Sequence, residues 1–181
     1  MNVCKYVQER QKRLRALLFF LAFDKVHFIK PNRKGMDMKV LVQRALNASV
    51  TVDGEIIGAI DDGQLVLVGI EKGDTETDTQ RLADKLLKYR MFGDAEGKMN
   101  LNVQQVAGGV LLVSQFTLAA ETKKGLRPGF STAAIPEEGE RLFNDFVNKV
   151  RAQYDKVETG QFGADMKVSF TNDGPVTFML D

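Results

Sequence analysis

The chain has 181 residues, 44% hydrophobic and 27% charged, with a net charge of +1, one Cys and one His. This suits one soluble domain with a real core and room for an appendage. No apolar run is long enough to span a bilayer, and a single Cys permits no internal disulfide framework, which points to a reducing compartment.

The small net charge hides a division. Residues 1–37 carry nine Lys/Arg against three Asp/Glu, whereas residues 38–181 carry 16 against 21. Cys4 and His27 both lie in the basic leader. If the leader stands outside the working domain, that domain has no Ser–His, Cys–His or zinc chemistry to draw on.

The leader has a charged, helix-like segment from Gln8 to Arg15 and then eight apolar residues, Ala16 to Phe23. A secretory signal needs a longer apolar middle and a small-residue cleavage site. A transit peptide is rich in Ser, which the leader lacks. A third reading, an over-extended start with the natural amino terminus at Met36 or Met38, fits best. The expected organisation is a leader, 1–37, and one domain, 38–181.

From Lys39 the pattern is that of a strand. Asp53-Gly54 suits a type I′ hairpin turn before Glu55-Ile56-Ile57. Gly58 to Gly63 read as a second turn, and Gln64 to Ile70 as a central strand covered on both faces. A helix begins near Thr75, with Thr75 or Asp78 as cap and acidic residues in its first turns. Leu82, Leu86, Leu87 and Met91 give it one buried face, and Gly93 is expected to stop it. Asp94 to Asn100 reads as a hairpin turn rather than a calcium loop.

Leu111 to Leu118 begins as a β-favouring apolar run, interrupted by Ser114, Gln115 and Thr117. In a strand, Gln115 and Thr117 point one way and Ser114 and Phe116 the other. Buried polar groups are costly unless paired. The strand therefore satisfies these side chains internally, ends at a pocket that uses them, or simply surfaces at its end. Ala119 to Ile135 has no regular period and holds Lys123, Lys124 and Arg127; long loops in small domains often carry function.

Pro136 suits the first position of a second helix, with Glu137, Glu138 and Glu140 in its first turn and Leu142, Phe143, Phe146, Val147 and Val150 as its buried stripe. Asp165 to Phe170 alternates as a strand with one wet face. Asn172 to Phe178 reads as a turn and a closing strand. Gly174-Pro175 there forms either a plain turn or a cis peptide. The architecture expected is α+β: a mostly antiparallel sheet or open β-barrel with two packed helices.

Together, Ser114-Gln115-Phe116-Thr117 and Asn172-x-Gly174-Pro175-x-Thr177 resemble the paired signatures of D-aminoacyl-tRNA deacylases. The resemblance runs over residues 38–181 and includes Asn100-Leu101-Asn102, Arg127-Pro128 and Phe162-x-Ala164-Asp165. It implies a cytoplasmic, homodimeric editing enzyme that hydrolyses the ester between a D-amino acid, or glycine, and tRNA; the sequence holds no metal-ligand cluster, and no cofactor is expected. By the same resemblance Gly174 and Pro175 form a chiral filter inserted into the partner's pocket, steadied by Arg44 and Asn172. Ser114, Gln115, Phe116 and Thr117 line the catalytic pocket. Thr117 lacks an activating His or amine, so orientation suits its hydroxyl better than nucleophilic attack. Lys123, Lys124 and Arg127 are candidate tRNA contacts, set against the acidic balance of the rest of the domain. The rival readings are a non-catalytic RNA-binding or translation-associated module and a structural dimerisation domain.

Overall fold

The computed structural model describes residues 38–123 and 125–181. The leader with Cys4 and His27, and Lys124 in the basic loop, lie outside the described residues.

Three long strands form most of the sheet. Strand β1 (Lys39–Val52) turns at Asp53-Gly54 into β2 (Glu55–Gly69), and β7 (Lys167–Leu180) lies antiparallel on the other side of β1. Asp53 and Gly54 have φ of 50° and 86°, as the two central residues of a type I′ turn require. Two shorter strands, β5 (Gly109–Ser114) and β6 (Val157–Thr159), add in parallel beyond β2. The order is β6-β5-β2-β1-β7, so the sheet is mixed. A separate two-stranded pair, β3 (Phe92–Gly93) with β4 (Met99–Leu101), closes around Asp94 to Lys98. There the Asp94 carboxylate accepts the Asn100 side-chain amide at 2.6 Å and the N–H groups of Glu96 and Lys98 at 2.9 Å each. These bonds, that of Asn100 foremost, hold its carboxyl below the usual range.

Helices α1 (Glu76–Lys88) and α2 (Pro136–Arg151) both contribute to the main core. The alternation of the strands puts Val40, Val42, Val66, Val68, Val110 and Leu112 into it, to meet Leu82, Leu86, Leu142, Phe146 and Val150. A smaller cluster of Ala45, Ala48, Val50, Leu65, Leu111 and Val113 lies on the other face. Thr75 caps α1 through Asp78, which accepts the Thr75 N–H at 3.0 Å and its hydroxyl at 2.7 Å. Lys149 ties the two helices together, donating to the Glu76 carbonyl at 2.6 Å and to Asp145 at 2.7 Å. Among the described residues no helix is long and apolar enough to cross a membrane.

Three boundaries differ from the sequence reading. Gly58 to Gly63 is no turn, because β2 runs through it unbroken. Gly63 instead serves a close strand approach: a Cβ there would lie 1.9 Å from the Gly109 carbonyl oxygen. Helix α1 ends at Lys88 rather than at Gly93. Tyr89 leaves the helix in an extended conformation, and its ring packs edge-on against Phe178 with centroids 5.1 Å apart. Finally, Asn172 to Phe178 belongs to β7 as assigned, with a register shift between Gln43 and Ala45 of β1.

Gln64 is fully buried on the central strand, and neither polar atom of its side-chain amide has a hydrogen-bond partner among the described residues. An orphaned buried amide costs about 1–3 kcal/mol. Gln64→Leu is therefore expected to stabilise the protein by about 1 kcal/mol or more, seen as a higher denaturant midpoint with an unchanged slope.

Candidate active site

The site grows from the end of β5. Val110 to Val113 are buried, Ser114 and Gln115 are half-buried, and Phe116 and Thr117 are exposed. The Gln115 N–H still bonds the Val68 carbonyl at 2.7 Å, completing the pairing with β2. Then the chain winds into a 3-10 turn, Phe116–Ala119. Strand alternation therefore fails after Ser114. Gln115 and Thr117 do come together, but through the turn: the Gln115 Nε2–H donates to Thr117 Oγ1 at 2.6 Å. The first amides of such a turn, those of Phe116 and Thr117, have no carbonyl within it to bond.

Gly69 makes room for this turn. A Cβ at Gly69 would lie 2.8 Å from Leu118 Cβ and 3.1 Å from the Gln115 carbonyl oxygen. The following loop closes over the same place. Glu121 and Gly129 exchange two main-chain bonds of 2.7 and 3.0 Å, Thr132 Oγ1 donates to the Ala119 carbonyl, and the Ala134 N–H bonds Ile70 at 3.1 Å. The rings of Phe116 and Phe130 sit 5.1 Å apart at the surface. Lys123 and Arg127 are exposed on this loop.

Ser114, Gln115 and Phe116 open into a cavity of about 520 Å³. Its other walls include Val68, Ile135, Gly139, Phe143, Phe162 and Met166. Phe143 and Phe162 lie 6.2 Å apart and give it an apolar side. Sequence reading assigned Phe143 to the core stripe and gave Gly139 no role. Gly139 is buried within α2, and a Cβ on it would come 3.4 Å from the Phe162 ring, at the edge of the cavity. The Phe162-x-Ala164-Asp165 segment is the one available signal, since all four of its residues, Phe162 to Asp165, line the space.

The second motif lies elsewhere. The Gly174–Pro175 peptide is cis. Asn172 Oδ1 accepts the Val176 N–H at 2.8 Å, and its Nδ2 donates to Thr177 Oγ1 at 3.0 Å. Arg44 reaches across from β1. Its Nε lies 2.8 Å from Asp173 Oδ2 and 3.2 Å from the Asp173 carbonyl, and Nη1 donates to the Met91 carbonyl at 3.1 Å. Arg44 and Asn172 thus bracket the Gly-Pro segment. Ser114 is level with Val68, Val40 and Leu180, whereas Gly174 falls in the register shift between Gln43 and Ala45, beside Arg44, three strands across and about four residues along. At about 4.8 Å per strand and 3.3 Å per residue, the two motifs stand on the order of 20 Å apart within one chain.

Residues 41–181 match the family D-Tyr-tRNA(Tyr) deacylase. The chain belongs to this family. A D-aminoacyl-tRNA deacylase of Marinomonas sp. (strain MWYL1) is 92% identical over 144 residues, which are 80% of this chain and 100% of that relative. One of Saccharophagus degradans is 62% identical over 143 residues, 79% and 99% of the two chains. Among solved structures, a c-Myc DNA unwinding element binding protein superposes with a TM-score of 0.76 at 41% identity, covering 79% of this chain and 97% of the other. A probable eukaryotic D-amino acid tRNA deacylase gives a TM-score of 0.71 at 17% identity, covering 79% and 98%, and shows the likeness of fold. For this deacylase-family chain, both signature segments fall within the matched residues.

Proposed function

We propose that this chain is a D-aminoacyl-tRNA deacylase whose working domain is residues 38–181. Water adds across the ester joining a D-amino acid, or glycine, to the tRNA 3′ end, and releases free tRNA and the amino acid. The observation that carries the reading is the cavity at Ser114–Phe116, in a chain of this family.

The residues suit a mechanism that depends on position rather than on a strong base. Residues 38–181 contain neither His nor Cys. An aminoacyl ester is already activated, and the neighbouring ribose hydroxyl of the tRNA can assist the attacking water. The amides of Phe116 and Thr117 are donors for the developing oxyanion, and the apolar wall strengthens those bonds by lowering the local dielectric. Thr117 holds the hydroxyl that Gln115 bonds, so its role is orientation. Thr117→Val is expected to lower kcat/KM by less than about tenfold, since a lost neutral hydrogen bond costs about 0.5–1.5 kcal/mol. A loss of about 1000-fold with unchanged substrate affinity would make Thr117 the nucleophile.

The filter reading needs two copies. One chain alone leaves Gly174–Pro175 far from its own cavity, and a partner would bring its own segment there. Leu41, Leu67 and Met179 lie in one row across β2, β1 and β7, with Met179 47% exposed, and form an apolar strip suited to pairing. Rejection of L-amino acids then comes from main chain occupying the space an L side chain needs. Lys123 and Arg127, with Lys124 by sequence, supply modest and salt-sensitive contacts to the tRNA 3′ end. The cytoplasm is the compartment this reading requires.

Incubation with D-tyrosyl-tRNA and L-tyrosyl-tRNA tests the proposal. Ester loss from the D form alone is expected. Cleavage of both forms would remove the filter. Binding without turnover would favour a nucleic-acid-binding module instead, a reading that draws on the 41% identical structure described as a DNA unwinding element binding protein.

A further inference from the structure

A second buried polar cluster lies at the start of β1, apart from the cavity. Glu71, Asp74 and Asp78 are 2%, 6% and 8% exposed. Asp78 is engaged in capping α1. Asp74 Oδ2 accepts the Glu71 N–H at 2.6 Å, and its Oδ1 accepts the Met38 N–H at 2.9 Å. Lys39 Nζ lies 2.5 Å from Glu71 Oε1, while Glu71 Oε2 is buried without a partner among the described residues. Met38 itself is fully buried.

The charges here do not balance. Glu71 and Asp74 are two buried carboxylates, and Lys39 is the one cation paired with them among the described residues. Burial first, and then the nearby charges of Asp78 and Glu71, push the Asp74 carboxyl up to about 6 against the lowering effect of its two main-chain bonds. Leaving a buried charge uncompensated is strongly unfavourable. A peptide N–H at Met38 brings one proton and no charge. An α-ammonium at the same atom brings three protons and one positive charge.

We infer that the Glu71–Asp74 pocket is a counter-ion site for a free α-ammonium group on Met38. One N–H keeps the bond to Asp74 Oδ1, and a second is available to the orphaned Glu71 Oε2. Two cations, Lys39 and the ammonium, then face two carboxylates. The inference concerns the amino terminus of the folded domain and stands whatever ester the cavity takes.

The test compares three chains: the full chain, one beginning at Met38, and that shorter chain with Gly-Ser placed ahead of Met38. The shorter chain has the length of a whole relative, since 144 residues here match 100% of the 92% identical protein. The chain with its α-amine on Met38 is expected to melt about 5 °C or more above the other two, and Asp74→Asn to erase that gap. In the folded Met38-start chain that amine should react with acetic anhydride at least about tenfold more slowly than in a peptide of the same terminal sequence, because it is buried and protonated. Glu71→Gln replaces Asp74→Asn if the latter does not fold. Equal melting of the three chains, a gap that survives both substitutions, failure of the Met38-start chain to fold, or acylation at the peptide rate would each overturn the inference.

Discussion

Gly174→Ala is expected to lower kcat/KM for D-aminoacyl-tRNA by about 100-fold or more while the fold survives, a loss of about 2.7 kcal/mol in transition-state stabilisation. Gly174 has φ of +130°, a region that L side chains rarely adopt. Its added Cβ would lie 2.6 Å from Val176 Cγ2, 3.0 Å from the Val176 nitrogen and 3.2 Å from Arg44 Nη2. These neighbours have little freedom to yield. Val176 N–H is held by Asn172, and Arg44 by Asp173 and Met91. The segment must therefore move as a whole, and the proposed filter moves with it. Gly174 is exposed on an edge strand, so global stability should fall only by the local strain, about 1–3 kcal/mol. Single-turnover deacylation with a parallel thermal melt separates the two effects. Activity within threefold of the parent in a well-folded variant would show that this segment does not shape the site.

Gly69→Ala attacks the other half of the site from beneath. The new Cβ would sit 2.8 Å from Leu118 Cβ and 3.1 Å from the Gln115 oxygen, both parts of the turn that presents Phe116 and Thr117. The turn must lift by several tenths of an ångström. Overpacking of this kind costs about 1–3 kcal/mol in stability. The catalytic cost should be larger, because a displacement of order 1 Å can reduce rate by about 100-fold. We expect kcat to fall by about 30-fold with KM changed much less. An equal fall in kcat and rise in KM would place the turn in substrate binding rather than in the chemical step.

The parts of the fold that short-range chemistry dictates are readable in the sequence. Asp53-Gly54 tolerates two positive φ values and forms the hairpin; Thr75 and Asp78 cap α1; Pro136 starts α2, and its apolar stripe is the one buried. What escapes is long-range. Gly58 and Gly63 read as turn residues because glycine punctuates turns, yet each is placed for a close approach, to Thr159 and Gly109 respectively. The end of α1 depends on Tyr89 meeting Phe178, a residue 89 positions away in the chain. Strand alternation puts Gln115 and Thr117 on one side of a continuing strand; they meet instead through the turn permitted by Gly69, which alternation does not foresee. The cavity walls Gly139, Phe143 and Phe162 look like helix and loop filler until α2 and the 160s loop are brought against β5.

The walls of that cavity also bear on how the molecule is made. They come from Val68, Ser114, Phe143, Phe162 and Val168, so no continuous stretch encloses the space, and one side depends on parallel pairing between strands some 40 residues apart. Contacts of such long range lose most in loop-closure entropy and therefore form slowly. A chain emerging from the ribosome would carry the hairpin and both helices before the cavity was enclosed. In a refolding experiment, hydrolytic competence should return with the slowest change in fluorescence or circular dichroism, never ahead of it.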